Sequence, residues 1–117
     1  MFPVMIKQKL IEALEEWLNK NNKIGEKWEN LIRRELRKFE NEKATISIVA
    51  GFALWAFNLI CNFGVTAVVG TEGYKVSEST WEKGFDRKTT ENLLFWINEA
   101  VKLMQIPKEV AEVMGWV

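Results

Sequence analysis

Apolar positions recur along much of this chain with the period of a helix, and in one long stretch the polar positions between them disappear. Over residues 3–20, Ile6, Leu10, Leu14, Trp17 and Leu18 fall three and four residues apart, which lines one helical face. Pro3 suits the first turn, where its missing N–H is not needed. Glu16 and Lys20 are spaced for an i,i+4 ion pair. The stretch "NNKIG" then interrupts the pattern with residues that adopt turn and cap conformations. A second amphipathic helix is predicted over about 25–42, with Trp28, Leu31, Ile32, Leu36 and Phe39 on its apolar stripe and Glu29–Arg33 paired on the wet side. Two such helices with a short connection pack antiparallel.

From Ala44 to Thr71 there is no charged side chain. As a helix over about 44–62 this segment is apolar on nearly all sides, the pattern of an element enclosed by protein or by lipid. At 100° per residue, Ser47, Gly51, Asn58 and Asn62 share one narrow line along it. After Gly64 the texture changes to β-branched runs flanking Gly70-Thr71-Glu72-Gly73, which predicts a β-hairpin near 64–77. Ser79-Thr80-Trp81-Glu82 fits a capping box opening a short helix that stops at Gly84. Asp86 or Thr89 caps a stronger helix to about Met104, with Leu93, Leu94, Ile97, Ala100, Val101 and Met104 on its apolar face. Pro107 begins a last short helix with Val110, Val113 and Met114 apolar and Gly115 as its stop.

The fold class that follows is mainly α: one domain over residues 1–117, a bundle of four to six helices around a buried apolar central helix at about 44–62, with a small β-hairpin near 64–77. The helices at 3–20, 25–42 and 87–104 pack around the central one. The competing reading is a single membrane span over 44–70 with cytoplasmic helices before it. Length favours that reading, because about twenty apolar residues cross a bilayer, and so do Arg33, Arg34, Arg37, Lys38 and Lys43 ahead of the run. Against it stand Asn58 and Asn62, since a buried amide without a partner costs about 1–3 kcal/mol. Gly64 and Gly70 also weaken the end of the run, and the flanking helices have apolar faces that need a protein partner. The soluble core helix is the preferred reading, and the expected compartment is cytoplasmic, because the start of the chain lacks the apolar run of a secretory signal.

Composition enters by exclusion. Sixteen basic residues balance sixteen acidic ones, without the excess that nucleic-acid binding draws on. The chain has no histidine and one cysteine, which argues against a zinc site, an intrachain disulfide and the commonest nucleophile–base dyads. Cys61 sits among Ile60, Asn62 and Phe63, and the glutamates alternate with lysine and arginine on wet faces. The expectation is therefore no enzyme, no cofactor and no metal.

Six tryptophans stand out in a chain of this length. Trp17, Trp28 and Trp55 belong with the core. Trp81, with Phe85 near it, and Trp116 have no stripe to join, so these three are the candidate partner surface. The line of Ser47, Gly51, Asn58 and Asn62 is a candidate helix-contact stripe. It fits a solvent-facing seam, a close contact between helices of one chain or of a dimer, or the polar wall of a cavity. The leading functional reading is a non-enzymatic protein–protein interaction module (an adaptor, assembly subunit or inhibitor) acting on another protein or as a homodimer. An apolar-ligand carrier with a cavity lined by Phe52, Trp55, Phe57 and Phe63 is a further alternative.

Overall fold

The apolar stripe of the first helix is the one the molecule buries: Leu10, Leu14, Trp17 and Leu18 are closed off from solvent. The structure, a computed structural model, describes residues 2–117. Helix α1 is Phe2–Lys20. A 3-10 turn at Asn22–Ile24 leads to α2, Glu26–Glu40. Helix α3 is Ile46–Asn62. Strands β1, Ala67–Gly70, and β2, Gly73–Val76, form an antiparallel hairpin. Then come α4, Glu78–Glu82, and α5, Arg87–Lys102. A 3-10 turn at Leu103–Gln105 joins α5 to α6, Lys108–Met114. The architecture is thus a mainly helical globule with one small hairpin, as the sequence pattern anticipates.

Side chains at both ends of α1 fix the antiparallel packing of α2. Near one end Arg33 Nη2 donates to Asn19 Oδ1 at 2.9 Å. At the other, Lys7 Nζ donates to the carbonyl oxygens of Glu40 and Glu42 at 2.9 and 2.6 Å. Those carbonyls lie at the end of α2, where intrahelical partners run out. The Glu29–Arg33 pair closes at 3.1 Å. Among the described residues Glu16 and Lys20 do not come within ion-pair distance.

Helix α5 lies against both α1 and α3. Its buried face holds Leu93, Leu94, Ile97 and Ala100, while α3 answers with Val49, Ala53, Ala56 and Ile60. Three alanines on that face of α3 (Ala50 is the third) keep it thin, so the neighbouring helices can approach closely. Helix α3 stops in a glycine-capped turn. Gly64 takes φ +118°, Val65 N–H returns to the Ile60 carbonyl at 3.0 Å, and Gly64 N–H bonds that of Cys61. An added Cβ at Gly64 would also press on Lys83 Cδ at 3.2 Å.

In the hairpin, Ala67 pairs with Val76, Val69 with Tyr74 and Gly70 with Gly73. Ala67, Val69, Tyr74 and Val76 turn inward against the core, and Val68 and Lys75 point out. Two side chains from elsewhere anchor it. Thr80 Oγ1 donates to the Thr66 carbonyl at 3.1 Å and accepts from Thr66 N–H at 2.8 Å. Asn98, buried on α5, turns its amide nitrogen to the carbonyl oxygens of Gly70 and, at 3.0 Å, Gly73. That orientation follows from the acceptors it meets.

Several sequence expectations need correction. Helix α4 begins at Glu78 rather than after Ser79, because Thr80 is committed to the hairpin and no side chain caps the helix. Trp28 is not core. It is exposed and rests edge-on against Phe63, with ring centroids 5.5 Å apart. The stripe of Val110, Val113 and Met114 faces outward, and Ala111 is the residue of α6 that meets the core. The small alanine lets α6 sit close, so its larger apolar side chains are left on the outside. The span over 44–70 is not a single helix. α3 has 17 residues, about 25 Å of helix, against a hydrocarbon thickness of about 30 Å, and the rest of the run turns into the hairpin. No helix among the described residues is long and apolar enough to cross a membrane.

Candidate functional site

Two stretches distant in sequence meet at one end of the bundle. Helix α6 closes with Gly115 at φ +76°, and the Trp116 N–H turns back to the Ala111 carbonyl at 2.8 Å. This reversal folds Trp116 inward, leaving it 8% exposed, where its ring meets the edge of Phe2 at 6.1 Å. The Trp116 carbonyl in turn accepts the Ile46 N–H at 2.8 Å, supplying a partner to a first-turn donor of α3. Thr45 caps the same helix, its hydroxyl accepting from Ile48 N–H.

The segments that meet at Trp116 expose many apolar side chains, interleaved on α6 with the exposed Lys108, Glu109 and Glu112. Phe2, Val4 and Met5 stand out from the first turn of α1, and Val110, Val113 and Met114 from α6, with Met104 before it and Val117 after it. Val113 is 86% exposed. A concavity of about 430 Å³ opens here, lined by Val4, Ala44, Thr45, Met114, Trp116 and Val117, with Lys43 on its wall. An apolar patch rimmed by polar residues is the usual character of a docking surface.

The residues singled out from sequence are dispersed. Phe85 is 5% exposed and stacks on Trp17 at 6.0 Å, with the Lys23 ammonium 3.8 Å from its ring centroid. Trp81 is half-buried under the Arg87 guanidinium. Trp116 belongs to the opposite end of α1 from the Trp17–Phe85 stack, about 20 Å away by helix rise. Trp81, Phe85 and Trp116 therefore do not form one surface. Both Phe85 and Trp116 close ends of the core, because glycine-led turns bend the chain back over it.

Ser47, Gly51, Asn58 and Asn62 are all exposed on α3. No helix of the same chain covers them, so within the chain they form a solvent-facing seam instead of an internal contact or a cavity wall. Phe52 stacks on Phe39 at 4.0 Å and leans on Trp55 at 5.3 Å, while Phe63 meets Trp28. These rings pack on one another and do not surround a void.

Three titratable groups are displaced from their ordinary values. Burial pushes the Cys61 thiol up, against a smaller pull from the Ala67 N–H, so it stays protonated at neutral pH. Burial and then the Glu91 carboxylate raise the Tyr74 phenol. The Asp86 carboxyl is held down by the Thr89 hydroxyl, at 2.7 Å, and the Thr89 N–H, at 2.9 Å, as it caps α5. The Asp86 N–H donates to Asn21 Oδ1, which joins the cap to a buried network.

That cap has a pH signature. A carboxyl whose folded pKa lies below its unfolded value of about 3.9 stabilises the fold above that pH, and the effect fades as pH falls through the folded value. Asp86→Ala is expected to lower stability by about 1 kcal/mol at pH 7. The gap between variant and wild type should narrow in urea titrations below about pH 4. A gap independent of pH would remove the carboxylate from this role.

The apolar end was not legible as a site. Its residues read as an ordinary core stripe in α6 and an unremarkable start in α1, and only the inward turn of Trp116 reveals which of them are left outside. The buried amides Asn21 and Asn98 were missed too, since each lies in a stretch that reads as turn or as helix. Comparison of the chain with protein-family models, curated proteins and solved structures finds no match.

Proposed function

We propose that this protein is a small protein–protein interaction module with no chemistry of its own, docking through the apolar end where α1 begins and α6 lies. One observation supports it. Of the twelve large apolar side chains that stand exposed among the described residues, eight (Phe2, Val4, Met5, Met104, Val110, Val113, Met114 and Val117) belong to these two segments. Exposed apolar residues scattered singly need no explanation, but a gathering of this kind marks a surface that a partner covers. Trp116 and Phe2 give the patch a rigid aromatic floor, and the Lys43 rim supplies polar definition. An adaptor, an assembly subunit or an inhibitor would each use such a face.

Val113→Asp tests it. The side chain is almost wholly exposed, so the variant should fold as wild type does. Affinity capture from native lysate is expected to retain proteins on the wild type and on a distant exposed control, Lys88→Glu, and to lose them on Val113→Asp. Affinity for a captured partner should fall roughly tenfold or more. Identical capture by all three forms would mean that this end is not the docking surface.

A further inference from the structure

The apolar end continues into a second hollow of different character. A groove of about 440 Å³ runs along α1 beside the end of α2, lined by Val4, Lys7, Ile11, Glu12, Glu15 and Glu40. Val4 also lines the apolar concavity at Trp116 and Met114, so the two hollows meet at one residue. From Val4 to Glu15 the trough follows about 16 Å of α1, roughly three helical turns. Charge around it is uneven. Segments 4–15, 40–43 and 108–112 hold six glutamates, at 12, 15, 40, 42, 109 and 112, against four lysines, at 7, 9, 43 and 108, in a chain with no net charge. Among the described residues Glu15, Glu40, Glu42, Glu109 and Glu112 make no ion pair. Two of the lysines are already engaged, Lys7 with the Glu40 and Glu42 carbonyls and Lys9 with Glu12 at 3.9 Å.

We propose that the segment docked on this end is a basic amphipathic helix of another protein, lying along α1. Its apolar anchors meet Val4, Met114 and Trp116, and its lysine or arginine side chains lie over Glu12, Glu15 and Glu40. The helix uses the docking surface proposed above and so rests on that reading. Charge complementarity selects its sign. An acidic segment would set carboxylates against the unpaired Glu15 and Glu40, and an uncharged one would strip their water without replacing it. The trough selects its form. Both walls are helices whose backbone groups are already paired, so the occupant must satisfy its own main chain, as a helix does. Extent agrees as well. The eight exposed apolar side chains of this end present roughly 700–800 Å², the share that one partner gives to an ordinary specific interface. Met5, Met104 and Met114, the three methionines among the described residues, all stand exposed here. Their unbranched thioethers mould to apolar side chains of differing shape.

The probe is a fluorescein-labelled amphipathic peptide of leucine and lysine, compared with a leucine–glutamate peptide of the same pattern. Fluorescence anisotropy at low salt should show the Leu–Lys peptide binding roughly tenfold or more tightly than Leu–Glu, with the gap closing as salt is added. Glu15→Lys combined with Glu40→Lys changes two exposed side chains and should fold as wild type does. That variant should weaken Leu–Lys binding roughly tenfold and tighten the Leu–Glu complex, while Lys88→Glu leaves the preference in place. Met114→Ser, which removes an apolar wall without adding charge, should weaken the Leu–Lys complex. Capture from lysate by Val113→Asp tests the surface itself, and the peptides test what it takes. Equal binding of the two peptides, lost in Met114→Ser, would keep the surface and overturn its basic preference. Leu–Lys binding that the double variant leaves unchanged, or no binding of that peptide by wild type, would overturn the proposal too.

Discussion

Replacing Trp17 with alanine is expected to lower the unfolding free energy by roughly 3–5 kcal/mol, the usual loss on truncating a buried aromatic. Domains of this kind have a total of only about 5–15 kcal/mol, so the variant should sit near the edge of folding. The size of the effect follows from what Trp17 joins. It projects from α1 with no exposure, stacks on Phe85 from the loop before α5, and donates its indole N–H to Thr90 Oγ1 on α5 at 2.9 Å. One residue therefore connects three segments. Asn21, one turn further on, donates to the Trp17 carbonyl and accepts the Asp86 N–H, so a collapse at Trp17 also loosens the entry to α5. Trp17→Phe separates the contributions: it keeps most of the apolar contact and should lose about 1 kcal/mol for the missing hydrogen bond. Urea unfolding of both variants, with unchanged slope, checks the pair. A loss below about 1 kcal/mol for Trp17→Ala would show that the α1–α5 contact is not the structural centre.

The second large effect is expected at Asn98. Asn98→Asp is nearly isosteric, but it replaces a donor by a carboxylate facing the carbonyl oxygens of Gly70 and Gly73 in a buried site. An unpaired buried charge is among the few changes that destabilise by several kcal/mol, and about 3 kcal/mol at pH 7 is expected here. Burial and the two carbonyl dipoles raise the folded pKa of this new carboxyl. The sign follows: below about pH 4 the acid is protonated in folded and unfolded states alike and can donate to one carbonyl, so the variant is least impaired there. As pH rises the unfolded chain ionises first, and the penalty grows until the folded carboxyl ionises too. Wild type lacks this trend. Thermal unfolding from pH 3 to 7 distinguishes the two, and a variant whose deficit is flat across that range would indicate that the Asn98 amide does not hold the hairpin turn.

How much of this was legible in the sequence varies with the kind of interaction. Helices α1, α2 and α5 follow from apolar spacing because one face of each is buried and the other is wet. The hairpin follows from Gly70 and Gly73 flanking a two-residue turn. Helix α6 escaped because its apolar stripe is real yet faces out. Periodicity reports that a helix has two faces without saying which one the core takes, and here the choice was made by Ala111 and by the reversal at Gly115. Trp28 misled for a related reason, since a position at the margin of a stripe ends up inside or outside according to the neighbour it meets. The amide anchors depend on partners far off in sequence, the Asp86 N–H for Asn21 and the Gly70 and Gly73 carbonyls for Asn98, at positions that no local pattern marks. On α3 the line of small and amide residues was visible, but its orientation to solvent needed the packing of α5 beneath it.

The five ion pairs among the described residues all join side chains three or four positions apart on one helix. None of them ties one element to another. The relative placement of the elements is left to shape, to neutral amide and hydroxyl contacts, and to lysines that reach backbone oxygens, as Lys23 and Lys83 do. Apart from Lys7, Lys23, Arg33 and Lys83, which reach across to other elements, the outer coat of glutamate, lysine and arginine is therefore free to be rewritten, by drift or by an engineer, with the topology untouched. What must persist is a short set of inward residues, and a distant cousin of this protein would be recognised by those and by little else.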